Sequence, residues 1–445
     1  MNYKFSTKKE LNIFQLICNI GFLELSIYLL VFLLLILNDG ISLSKFPLTS
    51  LPIGESLIGI SFFIYFLTDK TFLKQIRENK YLLPYIILLL STLIGVILNI
   101  NNYGIFTLRS ATHVFDMSIL FIGIKFGKSA NLRKLFFKIF PLTLFVGSIY
   151  MLTFPFKDIL LGLSPNVVNL RGELVPALFN YANTPVLSIN FFAYYLLKPK
   201  IPYKSIGFWI AIFSIFITIF LYSKRLHYLL LIILLLIYLI NNRQSLNLKS
   251  YLPLILIPFI FYILISLDLN FISNILNNFD FIKKNFLSGF KFFDGKYSYE
   301  FGNYSGANLR LLWWLSALQK VFESPFNIIF GLGQGITLTD FINRSGNFVS
   351  ELHNSYLSIF IRNGLLGFIP FIYIKWNLFK SLWRRYVFSN NKYISSSNLT
   401  LLFFFTSISA FSFFQPALEK PYFAIPYYFF WGILVSDRKL KFNSK

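Results

Sequence analysis

Few side chains in this 445-residue sequence carry the means for chemistry. His353-Asn354 opens an apolar run at the end of a long polar connection, where an imidazole can reach both water and a lipid-held substrate. Histidine titrates near neutrality, so it can take a proton from a hydroxyl; an interfacial histidine satisfied by the loop above it fits the same position. Arg225 ends Ser223-Lys224-Arg225, a very short turn between two apolar runs. A guanidinium there is either a planar fork for phosphate oxygens or a snorkelling interface anchor. Arg310 faces the same choice on an amphipathic segment, phosphate clamp or lipid headgroup contact. His227 is a further phosphate donor or a capping and packing residue, and Asn354 a candidate substrate contact. Arg109 and Arg171 are outward-lying candidates or plain surface residues. Glu419, in Gln415-Pro416-Ala417-Leu418-Glu419-Lys420-Pro421, is placed to orient a base or bind a sugar hydroxyl, or to pair with Lys420.

Other signals carry less. Glu24, Asp116 and Arg362 fall inside apolar runs, where an ionisable group is costly and is a functional candidate by default. Pairing with another helix accounts for Glu24 and Asp116. On a continuous helix Arg362 lies about 900° round from His353, hence on the opposite side. Gly331, Gly333 and Gly335 lack the strand–turn–helix setting and the lysine of a phosphate loop, so turn flexibility accounts for them. His113, His227 and His353 lack metal-ligand spacing, and one cysteine, Cys18, leaves neither a disulfide nor a thiolate site. No cofactor is expected.

The elements that must position these residues are membrane helices. Hydrophobic residues make up 56% of the chain and charged residues 13%, against roughly 25% charged in globular proteins; mean hydropathy is +0.63. So few charges cannot cover a soluble protein of this size. Apolar runs fall at about 14–37, 51–68, 82–100, 111–126, 135–154, 174–197, 205–222, 226–240, 251–267, 353–376, 398–414 and 421–436. The first is too long for a signal-peptide core and reads as a retained span. The expected fold is an all-α polytopic membrane bundle of about 12 transmembrane helices: helices 1–9 in residues 1–267, a large periplasmic loop at 268–352, and helices 10–12 with a cytoplasmic tail in 353–445.

The net charge of +23 suggests nucleic acid until the basic residues are placed. Most gather in alternate connections, among them Lys70 to Lys80, Lys125 to Lys138 and Lys375 to Lys392, which puts both termini in the cytoplasm by the positive-inside rule. No nucleic-acid partner is expected; the lipid bilayer is. The long connection then faces outward, with an amphipathic helix from Asn308 to Glu323, capped by Asn308 and apolar at Leu311, Trp314, Leu315, Leu318 and Phe322. No internal repeat is apparent, which weighs against a transporter of two similar halves.

The ordered series Ser223-Lys224-Arg225, Arg310-x3-Trp314, Ser324-Pro325, Gly331-x-Gly333-x-Gly335, His353-Asn354-x-Tyr356-Leu357 and Gly364-Leu365-Leu366-Gly367 resembles the O-antigen ligase/polymerase superfamily, as does the layout with one large outer loop before the last spans. The chain departs from the family's pattern at Arg362, often acidic there, and at Leu226, often small. The resemblance implies a metal-independent inverting glycosyltransferase at the outer face of the inner membrane, acting on glycan carried by undecaprenyl diphosphate. Arg225 and Arg310 would hold the diphosphate and His353 would be the general base. A polymerase, with a second lipid-linked repeat as acceptor and a chain-length regulator as partner, is the favoured expectation; a ligase to lipid A-core or protein is the alternative. A flippase or transporter is the reading from another class.

Overall fold

A computed structural model describes residues 20–37, 53–168, 174–199, 202, 204–222, 225–241, 306–338, 352–389 and 392–436. These form a helical bundle with one small antiparallel hairpin, β1 (Asn166–Val168) against β2 (Leu174–Pro176), Val167 opposite Val175. The helices in chain order are α1 (Phe22–Leu37), α2 (Ile53–Thr68), α3 (Lys70–Arg77), α4 (Leu82–Tyr103), α5 (Ile105–Met117), α6 (Ile119–Lys128), α7 (Ala130–Leu152), α8 (Lys157–Gly162), α9 (Thr184–Leu196), α10 (Ile206–Ile217) and α11 (Arg225–Asn241). Further along the chain come α12 (Gly306–Phe322), α13 (Pro325–Phe330), α14 (Ser355–Val387), α15 (Lys392–Ser412) and α16 (Pro421–Val435).

The distribution of side chains on α4 shows what solvent the bundle is built for. Ser91, Thr92 and Gly95 are turned inward, while Leu83, Leu90, Ile97 and Leu98 stand exposed, Ile97 at 71%. Water would select the reverse. Hydrocarbon leaves an aliphatic face at no cost and drives polar groups toward one another. The chain is a helical membrane protein.

Helices long and apolar enough to cross a bilayer number four among the described residues: Leu82–Tyr103, Ala130–Leu152, Ser355–Val387 and Ile394–Ser412. The pair Gly54–Thr68 and Lys70–Arg77 adds one more if its 108° bend is a broken span. Phe22–Leu37, Ile206–Tyr222, Leu226–Leu239 and Pro421–Val435 are apolar but shorter. The expected count of 12 is therefore not reached as uniform spans, for local reasons. The run 111–126 is divided between α5 and α6 at Ser118. The run 174–197 begins as the β2 strand, and its helix covers only Thr184–Leu196, about 20 Å of rise where about 30 Å is needed. The run 251–267 lies outside the described residues.

Close packing locates the rigid centre. Gly123 and Gly127 on α6 and Gly432 on α16 bring the two backbones into contact, a Cβ on Gly123 meeting the Phe429 carbonyl and one on Gly432 meeting the Leu120 carbonyl. Small residues at such spacing let helix backbones approach in lipid. Around this seam Tyr28, Phe126 and Phe429 pack their rings, Phe126 and Phe429 edge to face at 5.2 Å between centroids. At one end of the α4–α14 pair, Lys80 feels the charges of Arg384 and Lys380. These two helices therefore run antiparallel, with basic residues gathered at a common end.

Candidate functional site

The site is organised by a break in α14. Gly364 adopts φ 58°, ψ −166°, outside the helical region and accessible in practice to glycine alone. The chain folds back there. Lys375 Nζ donates to Tyr356 OH at 2.7 Å, although 19 residues of straight helix would set them about 28 Å apart. Phe360 meets Phe368 at 5.5 Å and Tyr356 meets Phe371 at 5.9 Å between centroids, ring pairs that straddle Gly364. The expected span 353–376 is thus two arms, residues 355–363 and 365–387, joined at an acute turn. The count of helical degrees between His353 and Arg362 does not apply either, because His353 precedes the helix.

A helix end exposes carbonyls without intrahelical partners, and the glycine-rich segment supplies them. Leu332 N donates to Ile361 O at 2.8 Å and Gly333 N to Arg362 O at 3.0 Å, while Ser91 Oγ on α4 donates to Asn363 O at 2.9 Å. Asn363 Oδ1 accepts from Thr92 Oγ1 at 2.8 Å and from Gln334 Nε2 at 3.0 Å. Gly331, Gly333 and Gly335 all have positive φ, and a Cβ on Gly331 would strike the Arg362 carbonyl. Gly333 Cα lies 3.0 Å from where a Cβ of Gly95 would stand. These glycines are required by close backbone docking, beyond the turn flexibility expected of them.

His353 sits at the opposite end of the short arm. Leu352 is fully buried and its carbonyl accepts from Trp314 Nε1 at 2.8 Å. His353 itself takes φ 51°, an uncommon conformation for a residue with a side chain. Asn354 then caps the helix, its Oδ1 accepting from Leu357 N at 3.0 Å. The imidazole lies against the Trp313 ring, 5.9 Å between centroids and 24° from parallel. Its Nδ1 is 3.3 Å from Gln415 Oε1. Leu418 N donates to Ser355 Oγ at 3.1 Å, tying the same turn to the helix start.

Arg310 reaches that turn as well, Nη1 donating to Phe414 O at 3.0 Å. Arg310 and His353 are therefore held on adjacent residues of the α15–α16 connection. The helix that carries Arg310, α12, begins at Gly306, so Asn308 lies within the first turn and is not the cap expected of it. The inward side of α12 is Trp313, Trp314, Ala317 and Val321, whereas Leu315 and Phe322 are exposed, so the apolar face is rotated from the expected one. Ser324 caps α13, its Oγ accepting from Asn327 N at 3.1 Å, with Pro325 first in the helix.

Arg225 is the first residue of α11. Two residues on, His227 is buried, its ring against Tyr222 at 5.4 Å and Phe411 at 6.2 Å. Phe411 is the penultimate residue of α15, so the start of α11 packs against the end of that helix. Glu419 ends a short 3-10 turn, Ala417–Glu419, in that same connection. Arg109 is exposed on α5, and Arg171 lies outside the described residues. Asp116 is fully buried on α5 beside Glu55 of α2, Arg362 is buried near His113, and Glu24 lies beside Tyr65; none of these joins the His353 cluster. Among the described residues no group of three or more His, Cys, Asp or Glu is placed to hold a metal ion.

Gln415 and Trp313 were not singled out by sequence. Gln415 is 62 positions from His353, and no spacing rule links them; only the packing of α15 and α16 beside α14 does. Residues 209–372, from α10 into the long arm of α14, match the family model Wzy_C, O-antigen ligase. The match contains Arg225, Arg310 and His353 and ends before the Gln415 turn. Comparison with curated proteins gave no match.

Proposed function

With residues 209–372 belonging to the O-antigen ligase family, and the resemblance to the O-antigen ligase/polymerase superfamily thereby borne out, we propose that this membrane protein is a glycosyltransferase that polymerises glycan repeats carried on undecaprenyl diphosphate at the outer face of the inner membrane. The observation that carries the reading is the meeting of Arg310 and His353 on Phe414 and Gln415. A cation suited to phosphate and a base suited to a hydroxyl are fixed on one turn.

In the reaction, an acceptor sugar hydroxyl gives its proton to His353 as its oxygen bonds to the anomeric carbon. The bond from that carbon to the diphosphate oxygen breaks, and the electron pair leaves with undecaprenyl diphosphate. Negative charge grows on the departing oxygen, where a preorganised guanidinium acts most strongly. A guanidinium carries five N–H donors, so the Arg310 bond to Phe414 O is compatible with an anion fork. Arg225, at the start of α11, would complete the diphosphate site. Attack from the face opposite the leaving group inverts the anomeric centre. Asn354, Glu419, His227 and Arg171 are proposed substrate contacts of lesser weight.

In this reading both termini are cytoplasmic and about 12 crossings bracket a periplasmic segment at 268–352; the gathering of Lys80, Lys380 and Arg384 supports the sidedness. The partners are the lipid-linked donor and acceptor and a chain-length regulator. The second reading, a ligase delivering glycan to lipid A-core or protein, is favoured by the family's own description. A gel profile of surface glycan from cells lacking the gene separates them. Core bearing a single repeat, restored by wild type and not by His353→Ala, is the polymerase outcome. Bare core with polymer stranded on its carrier means ligation, and an unchanged ladder removes both in favour of transport.

A further inference from the structure

We infer that Gln415 is a positioning residue that fixes the tautomer of His353, an inference that rests on His353 being the base. Gln415 Oε1, which can only accept, faces Nδ1 at 3.3 Å, and the tautomer that satisfies this contact carries its N–H at Nδ1. The lone pair then belongs to Nε2, which becomes the atom that takes the acceptor's proton. A base oriented by a third group through its other nitrogen is a recurrent arrangement in nucleophile activation.

Three features show that the contact is built. The Trp313 ring lies along the imidazole and restricts its rotation. The backbone at His353 is held at φ 51° between a buried Leu352 and the capping Asn354, which fixes where Cβ points. The Gln415 turn is anchored on both sides, by Arg310 on Phe414 O and by Ser355 Oγ on Leu418 N. Among the described residues, the elements around the pair carry Arg310 and Lys320 on α12, Arg362 on the short arm of α14, and Glu419 and Lys420 in the turn. A neutral amide sets the tautomer and stabilises the imidazolium less than a carboxylate would.

The test uses purified full-length protein in lipid nanodiscs, with undecaprenyl-diphosphate-linked repeats from cells lacking the gene as donor and acceptor. Gln415→Leu keeps the bulk and removes the acceptor; kcat should fall roughly 10- to 100-fold with KM little changed. Gln415→Glu keeps the acceptor and adds charge, so the acid limb of the pH–rate profile should move up by about one unit. A purely structural role for Gln415 would not move that limb. An unaltered profile and rate in both variants, or a change confined to KM, overturns the inference while a silent His353→Ala leaves the base in place. An active His353→Ala overturns the base itself, and the two failures are thereby distinguished.

Discussion

Gly364→Ala should straighten α14 and dismantle the site. Three contributions add. Alanine at φ 58°, ψ −166° costs about 1–3 kcal/mol of backbone strain. Its Cβ would meet the Ile329 carbonyl and Gly331 N, both backbone and unable to swing away, for about 1–3 kcal/mol more. Alanine also favours the competing straight helix over glycine by about 1 kcal/mol. A total of about 5 kcal/mol is a shift of several thousandfold between the two shapes. Gly104→Ala is the control, because Gly104 has φ 53° but nothing within 4 Å of a Cβ, so only the strain applies. Spin labels on Leu357 and Trp376, in a Cys18→Ser background, read the outcome directly. Wild type and Gly104→Ala should give one short distance; Gly364→Ala should lengthen it by roughly 10 Å toward the straight-helix value, with glycan product lost. Wild-type distance and full activity in Gly364→Ala would refute the claim that glycine enforces the fold-back.

Gly432→Val adds an isopropyl group whose Cβ runs into the Leu120 carbonyl and Gly123. It should lower the thermal midpoint in detergent by several degrees, the equivalent of about 1–3 kcal/mol, whereas Gly162→Val, with nothing within 4 Å of its Cβ, should not. Asp69, at the bend after α2, is held down to about 2 by hydrogen bonds from Lys125 and Thr71, the Lys125 contact being 2.7 Å. Since the ordinary value is 3.8, the pair stabilises the fold above about pH 4 and loses that contribution as pH falls toward 2. Asp69→Asn should therefore lower the thermal midpoint at pH 7 by an amount worth at most about 1 kcal/mol, with the gap from wild type shrinking on acidification; a gap that widens at low pH would contradict it.

What was legible in the sequence followed from composition and local spacing. Lipid-facing aliphatics on α4 and the charge at helix ends are properties of single segments, so hydropathy and basic-residue placement find them. What escaped depends on long-range partners. Gly364 lies in Gly364-Leu365-Leu366-Gly367, an unbroken apolar run that reads as one span; the fold-back is stabilised by Leu332, Gly333 and Ser91, which neighbour it only in space. The rotated face of α12 has the same origin: Ala317 and Val321 are buried because Leu338, Leu352 and Ile361 pack there, while Leu315 and Phe322 stand exposed.

The candidate site extends beyond the residues that sequence similarity marks. The matched residues 209–372 hold His353 and Arg310, yet the groups that fix both, Gln415 Oε1 and the Phe414 carbonyl, lie beyond their end. The hairpin that carries His353 is in turn closed by Ser91 and Thr92 from α4, well before their beginning. The short arm of α14 is about 13 Å long, so a shift at either anchor is transmitted to the imidazole with little loss. Small displacements of a catalytic group weigh heavily on rate. Substitutions in α4 or in the last turn should therefore alter turnover while leaving every residue of the matched stretch intact, and the site is properly described as three segments of chain meeting around one broken helix.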